Sequence, residues 1–233
     1  MNFRRNRGNL TIILAALAVV IVALGAFYWL VSASIESRRG TVPPLAIATP
    51  GAPAATAAPT APPRELVARG EDLLKQGKLS EALRALSQAA EANPDDPQVN
   101  GLLGKALIRW AQPAAAIAKL QHAVDLQPGN AEYHALLCLA YDWNNQYDKA
   151  IKSCQRSSDL APTFAPAYAY LAEAYADSAQ ADKALSVAQK AVELDANSPD
   201  AHRGLAYALQ TVGNFKTAEA EYGKAIDLQP ADS

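Results

Sequence analysis

The sequence predicts an all-α protein in which five helical hairpins of equal length stack over residues 64–233, after one membrane-spanning helix and an unstructured linker. Three observations lead to this prediction. Residues 10–31 form an uncharged apolar run, and residues 32–63 are rich in proline, alanine and threonine. Beyond them, a proline recurs at intervals of 34 residues, at Pro94, Pro128, Pro162 and Pro230, with Ala196 in the one vacant place. A fixed repeat length over a long segment is typical of stacked supersecondary units.

The apolar run at residues 10–31 is long enough to cross a lipid bilayer. Its 22 residues would span about 33 Å as a helix, and the hydrocarbon core is about 30 Å thick. We expect an uncleaved signal anchor. A cleaved signal peptide is the alternative, because three arginines precede the run, but the run exceeds the apolar region of about 7–15 residues usual for such peptides.

The flanking charges predict the orientation of this anchor. Arg4, Arg5 and Arg7 precede the apolar run, whereas Arg38 and Arg39 follow it together with Glu36. The positive-inside rule then leaves residues 1–9 as a short cytoplasmic tail and sends the rest of the chain across the membrane. We therefore expect a single-pass protein of the cell membrane that contacts lipid through residues 10–31.

The linker at residues 32–63 ends in a stretch that cannot build a core. Residues 41–63 contain seven prolines, four threonines and no charged side chain. Such a composition is typical of a semi-rigid spacer with polyproline II character. Its expected effect is to hold the following domain away from the bilayer.

The remaining residues divide without gaps into five repeats, at 63–96, 97–130, 131–164, 165–198 and 199–232. Each repeat has two stretches with apolar residues at helical spacing. Small residues recur where two helices of a hairpin must touch. The invariant column is Ala82, Ala116, Ala150, Ala184 and Ala218, and a second small column is Gly70, Gly104, Cys138, Ala172 and Ala206. Residues suited to a left-handed turn, Gly77, Asn145 and Gly213, separate the two stretches in three of the repeats.

These columns resemble the tetratricopeptide repeat (TPR), whose signature is a 34-residue pattern W-x₂-L-G-x₂-Y…A-x₃-F…P. Repeat two carries it as Leu103-Gly104, Leu107, Ala116, Leu120 and Pro128. The resemblance covers about 170 residues and implies a right-handed superhelical α-solenoid. It also implies a concave groove, lined by the first helix of each repeat, in which a peptide or helix of another protein binds.

The groove residues are expected on the side of each first helix that lies opposite the packing columns. The resulting candidates are Leu102, Lys105, Arg109, Leu136, Leu139, Trp143, Tyr170, Glu173 and Tyr207. Trp143, Tyr170 and Tyr207 are the expected anchors, because Trp and Tyr dominate interface energetics. The alternative is that these aromatic rings pack against one another within a narrow groove.

Charge and cysteine content exclude several classes of function. Residues 64–233 carry 22 acidic against 16 basic side chains, which argues against binding nucleic acid. No motif indicates catalysis, a cofactor or a metal, so we expect a protein that is not an enzyme. We expect Cys138 and Cys154 to be small buried thiols, with a disulfide as the alternative, since their columns predict a Cα separation near or beyond about 7 Å.

We therefore expect a membrane-tethered scaffold that binds a segment of a partner protein and so assembles or positions a membrane-associated complex, in the manner of bacterial envelope TPR proteins. The alternatives are a non-catalytic subunit of an envelope enzyme or assembly machinery, and a secreted soluble adaptor. The chain stops at Ser233, soon after the last repeat. Tyr222 and Ile226 should then lack a partner within the chain, so we expect the C-terminal repeat to pair with a second copy, as a homodimer, or with another protein.

Overall fold

The computed structural model describes residues 61–229, which form ten α-helices and no strand. The helices are α1 (Pro63–Lys75), α2 (Leu79–Ala92), α3 (Pro97–Arg109), α4 (Pro113–Leu126), α5 (Ala131–Trp143), α6 (Tyr147–Leu160), α7 (Ala165–Asp177), α8 (Ala181–Leu194), α9 (Pro199–Thr211) and α10 (Phe215–Leu228). The prediction of an all-α stack of five hairpins is confirmed. The predicted tail, spanning helix and most of the linker lie outside the described residues. Within residues 61–229, no helix combines the length and apolarity needed to cross a membrane.

Local sequence explains where the helices begin. Asp96 accepts backbone hydrogen bonds from Gln98 (2.8 Å) and Val99 (3.2 Å) ahead of α3, and Asn130 and Ser198 cap α5 and α9 in the same way. Pro97 stands at the first turn of α3, where its missing N–H leaves no intrahelical bond unmade. These caps fix the start of three of the five first helices.

The turn inside each hairpin uses one residue with positive φ. These residues are Gly77, Ala111, Asn145, Ala179 and Gly213, with φ between 56° and 78°. The sequence predicted the two glycines and the asparagine, which adopt this conformation easily. It missed Ala111 and Ala179, because alanine is rarely left-handed, and only the shared 34-residue spacing marks these two positions.

The small columns lie at the contact between the two helices of each hairpin. The invariant alanines are at most 3% exposed. An ideal Cβ on Gly70 would lie 2.6 Å from Leu86 Cγ, and one on Gly104 would lie 2.4 Å from Leu120 Cγ. Real atoms do not approach so closely, so the leucine on the second helix requires the glycine on the first.

The expectation of separated thiols is wrong at repeat three. The Cα atoms of Cys138 and Cys154 are 5.3 Å apart, and the two sulfurs form a disulfide. The small residues at Cys138 and Ala150 lie at the contact between α5 and α6, where the two backbones come close enough for the sulfurs to bond. The bond joins the two helices of one hairpin.

Successive hairpins stack by packing each second helix against the next first helix, and by direct contact between first helices such as α7 and α9. Three clusters of buried apolar side chains follow one another along the stack. The largest of them lies in the middle repeats and includes Leu120, Leu137 and Tyr168. Because each repeat buries its apolar face only against its neighbours, the first helices share one side of the solenoid.

Candidate functional site

A groove runs along the side formed by the first helices. A cavity of about 420 Å³ lies in it, and all five first helices contribute to its walls. Its lining consists of Leu74, Lys75, Lys105, Ile108, Arg109, Leu136, Leu139, Trp143, Tyr170, Asp200, Arg203 and Gln229. Six of the nine sequence-predicted groove residues therefore meet at one place.

The floor of this cavity is apolar and well packed. Ile108, Leu136 and Leu139 are 3–5% exposed, so they support the groove rather than stand free in it. Trp143, in contrast, is 44% exposed at the C-terminus of α5. It is the one predicted aromatic anchor that presents a large apolar surface to solvent.

Basic side chains surround the N-terminal end of the groove. Arg109 Nη1 donates to the backbone carbonyl of Leu74 at 2.5 Å, which fixes the guanidinium at the C-terminus of α1, where the helix dipole favours a cation. Lys105 Nζ lies 3.4 Å from Glu132 Oε1 in a solvent-exposed pair that adds little stability. Lys75 completes a positively charged edge.

The C-terminal end of the groove is held by a partly buried network around Arg203, whose members Tyr170 and Glu173 are buried. Its Nε donates to Glu173 Oε1 at 3.0 Å, and its Nη1 forms an ion pair with Asp200 Oδ1 at 3.0 Å. The Tyr170 hydroxyl donates to Asp200 Oδ2 at 2.8 Å, and the guanidinium carbon lies 5.8 Å from the centre of the Tyr170 ring. Tyr170 is only 7% exposed, so the structure places this predicted anchor inside the groove wall.

Burial dominates the electrostatics of this network. It raises the pKa of Tyr170, and the neighbouring Asp200 carboxylate raises it further. Burial also raises the pKa of Glu173, although Arg203 acts in the opposite direction. The pKa of Arg203 is raised despite its own burial, because Glu173 and Asp200 stabilise the charged form.

A second cavity of about 260 Å³ adjoins the first and shares Trp143 and Arg203 with it. Its other lining residues are Asp142, Glu173, Asp177, Tyr207 and Tyr222. The Tyr207 hydroxyl donates to Asp177 Oδ1, and this hydrogen bond is the main reason that the pKa of Tyr207 is raised. Glu173 and Tyr207, two further predicted groove residues, belong to this cavity.

Asp142 is the most unusual residue of the second cavity. It is 2% exposed, and within the part of the chain that the structure describes no group donates a hydrogen bond to its carboxylate oxygens. Its one hydrogen-bonding neighbour is the Asp177 carboxylate, which can accept from Asp142 only when Asp142 is protonated. Burial raises its pKa to about 8, and the Asp177 and Glu173 carboxylates act in the same direction. A carboxyl group with these properties holds its proton at neutral pH.

The structure departs from the predicted site at three places. Leu102 lies away from both cavities and packs against the N-terminal core cluster. Arg203 and Asp142 were missed, although Arg203 interrupts a column of apolar or small residues and Asp142 stands where three other repeats have an apolar residue. Tyr222 was expected to lack a partner within the chain, but its hydroxyl donates to Gln210 Oε1 at 3.2 Å and its side chain lines the second cavity.

The remaining titratable groups have structural roles. His202 is 4% exposed, and its two ring nitrogens lie 2.6 Å from Glu221 Oε2 and 2.9 Å from the Ala196 carbonyl. Over residues 61–229, no three His, Cys, Asp or Glu side chains converge as metal ligands do.

Two family models match the helical repeats. Both describe the tetratricopeptide repeat, one over residues 73–140 and the other over residues 202–232. Both segments are therefore similar to tetratricopeptide repeats. Among curated proteins, no sequence matches the chain.

Solved TPR structures have the same fold. A thermophilic TPR protein of Thermus thermophilus superposes with a TM-score of 0.65 at 21% identity, over 73% of this chain and 93% of that one. MamA from Desulfovibrio magneticus RS-1 superposes with a TM-score of 0.53 at 25% identity, over 71% of this chain and 94% of that one. A further MamA crystal structure superposes with a TM-score of 0.51 at 25% identity, over 68% of this chain and 93% of that one. TPR domains are in general scaffolds that bind other proteins.

Proposed function

We propose that this protein is a membrane-tethered scaffold whose TPR groove binds a segment of a partner protein and thereby assembles or positions a membrane-associated complex. The observation that carries the proposal is the open cavity on the first helices, which combines a packed apolar floor with an exposed tryptophan. Interfaces concentrate their binding energy in such aromatic anchors within pockets. The proposed activity is non-covalent.

The charges along the groove indicate what kind of segment fits. Lys75, Lys105 and Arg109 surround one end, and Asp142, Glu173 and Asp177 lie near the other. A segment with acidic residues toward α1 and α3, apolar residues over Leu136 and Leu139, and a basic residue toward α7 would match this arrangement.

The location is part of the same proposal. The uncharged run at residues 10–31 is the tether, residues 1–9 lie in the cytoplasm, and the linker at residues 32–63 holds the TPR domain outside the membrane. The Cys138–Cys154 disulfide supports an extracytoplasmic domain, because structural disulfides persist in oxidising compartments.

Self-association through the last repeat belongs to the proposal as well. Val212, Phe215 and Ile226 are 43%, 67% and 70% exposed, and all three lie in repeat five. A second copy that covers these side chains would remove their apolar surface from water.

Site-specific photocrosslinking in the native membrane tests groove binding. A benzoylphenylalanine is placed at Lys105 in the groove or at Lys152, an exposed residue of α6 on a second helix. We expect one partner to crosslink at position 105 and not at position 152, and the adduct to weaken at least fivefold when Trp143→Ala is added. Equal adducts at the two positions would overturn the groove assignment. N-terminal sequencing of the mature protein then separates the anchored form from a secreted adaptor, which would lack residues 10–31.

A further inference from the structure

The repeats themselves show that a carboxylate at Asp142 is not needed for packing. Repeat five has the exposed Gln210 at the equivalent position, whereas repeats one, two and four have Leu74, Ile108 and Ala176. All three are buried apolar side chains, and Asp142 is buried as deeply as any of them. Burying a carboxyl group without a hydrogen-bond donor costs about 1–3 kcal/mol or more, so a purely structural role would favour an apolar residue here.

Within residues 61–229, no cation stabilises the carboxylate form of Asp142, and the group is therefore protonated at neutral pH. Arg203 is the single basic residue that lines the 260 Å³ cavity, and its Nε and Nη1 are bonded to Glu173 and Asp200. Its Nη2 has no acceptor within bonding distance, so it does not neutralise Asp142. Within residues 61–229, no ion pair involves Asp142 or Asp177. Two neighbouring carboxyl groups therefore line a cavity in which no cation pairs with either of them.

The other walls of the cavity are aromatic. Trp143, Tyr207 and Tyr222 line the cavity together with the carboxyl groups. Trp143 is also 44% exposed, so this wall of the cavity is in contact with solvent. Cations are attracted to the faces of tryptophan and tyrosine rings, most strongly where water is excluded. Carboxylates supply charge-assisted hydrogen bonds to the same kind of group.

We propose that the cavity bounded by Asp142, Asp177 and Trp143 is a socket for one cationic side chain, a lysine or arginine of the segment bound in the groove. The inference rests on the proposed function, because the segment must lie in the adjoining 420 Å³ cavity, which shares Trp143 and Arg203 with the socket. On binding, Asp142 releases its proton to solvent, the entering cation pairs with the Asp142 and Asp177 carboxylates, and its alkyl stem packs on the aromatic rings. Asp142 thereby gains the cationic partner that the unbound domain does not give it.

Small cations test the socket without the partner. The full-length protein is purified in a mild detergent with its three tryptophans labelled at the indole nitrogen, and the signals are assigned with single Trp→Phe variants. The probes are n-butylammonium, n-butylguanidinium and, as the neutral control, n-butanol. We expect at least one cation to shift the Trp143 signal saturably while that of Trp110 stays in place, and n-butanol to bind at least tenfold more weakly.

Variants at Asp142 separate a binding role from a structural one. Asp142→Asn and Asp142→Leu, the second of which restores the residue of repeat one, should weaken cation binding at least tenfold. Asp159→Asn, which removes an exposed carboxylate of α6, should leave it unchanged. The affinity of the unchanged protein for the cation should also rise at least fivefold between about pH 6.5 and about pH 8.5, because the carboxylate is the binding form. The titratable groups that share the cavity with the Asp142 carboxyl group are Glu173, Asp177, Arg203, Tyr207 and Tyr222.

Three outcomes would overturn the socket: no saturable shift with either cation, equal binding of n-butanol, or full affinity in Asp142→Leu. These failures are distinct from failure of the proposed function. A partner that still crosslinks at position 105 while the cations do not bind would refute the socket alone. Cation binding without any groove-specific crosslink would refute the proposed function alone.

Discussion

Cys138 and Cys154 occupy the same two positions of repeat three that Gly104 and Leu120 occupy in repeat two. In repeat two the leucine fills the space left by the missing Cβ of the glycine. In repeat three, a covalent bond between two medium-sized side chains replaces that contact. A disulfide thus joins the two helices of the middle hairpin at the position where side-chain packing holds the other hairpins together.

Reduction of this bond should destabilise the domain. The cysteines are 16 residues apart, and a closed loop of that length contributes roughly 3 kcal/mol. We expect Cys138→Ser with Cys154→Ser to lose about that much free energy of unfolding, measured with urea. Cys138→Gly with Cys154→Leu, which copies repeat two, should lose clearly less. If the unchanged protein gave the same urea curve with and without a reductant, the bond would have no stabilising role.

Gly104 should not tolerate a methyl group. Gly104→Ala would place its Cβ against Leu120, which is fully buried, and we expect the free energy of unfolding to fall by about 1–3 kcal/mol. Gly223→Ala is the matched control, since this helical glycine has nothing within 4 Å of its Cβ position. The control should gain about 0.5–1 kcal/mol from helix propensity. Equal effects of the two substitutions would refute the close contact.

Glycine should improve the turn of repeat four. Ala179 has φ of 61°, and an alanine held in the left-handed region costs roughly 1–2 kcal/mol. We expect Ala179→Gly to raise the free energy of unfolding by only about 0.5–1 kcal/mol, because the extra freedom of glycine in the unfolded chain offsets part of the relieved strain. Ala184→Gly, at a buried helical position of the next helix, should lower it. A loss of stability in Ala179→Gly would show that the turn is not strained.

The carboxyl group of Asp142 should make the domain less stable as pH rises. In the unfolded chain it ionises near pH 4, whereas burial raises its pKa to about 8 in the folded domain. Folding therefore binds a proton between these values, and the free energy of unfolding falls by up to about 1.4 kcal/mol per pH unit. Asp142→Leu should reduce this slope and be more stable by about 1–3 kcal/mol at pH 8. Part of this pH dependence should remain in Asp142→Leu, because the pKa of Glu173 is also raised. Urea titrations at several pH values measure both effects, and a less stable Asp142→Leu at pH 8 would contradict the prediction.

The exposed apolar side chains of repeat five should mediate self-association. Ile226 is 70% exposed, and we expect Ile226→Glu to shift the full-length protein from dimer to monomer in analytical ultracentrifugation. Asp227→Lys, a neighbouring exposed change on α10, serves as the control for charge. A monomer before substitution would exclude the homodimer.

The repeat period made the fold predictable, because contacts inside a solenoid are the same contacts repeated. Ala82 and its four equivalents could be placed in the core from spacing alone. The groove was predictable to the level of a helix face, since residues such as Lys105, Leu139 and Trp143 follow from the opposite side of the same helix. Side-chain pairing was not predictable at that level. Tyr170 was expected as an exposed anchor, but its hydrogen bond to Asp200 depends on how far α7 and α9 approach one another.

The sequence by itself determined the number of hairpins, their length and the columns along which they touch, because these depend on residues that recur at one fixed interval. Only the tertiary structure shows which of the residues that depart from their repeat column lie in the candidate site. Asp142 stands where repeats one and two have Leu74 and Ile108. Only its position beside residues of α7 and α9 shows that it is a buried carboxyl group next to Trp143, to which no group donates a hydrogen bond. The physical reason is that spacing fixes which face a residue lies on, whereas the balance of charge depends on neighbours about thirty residues away that only the packing of successive first helices brings together.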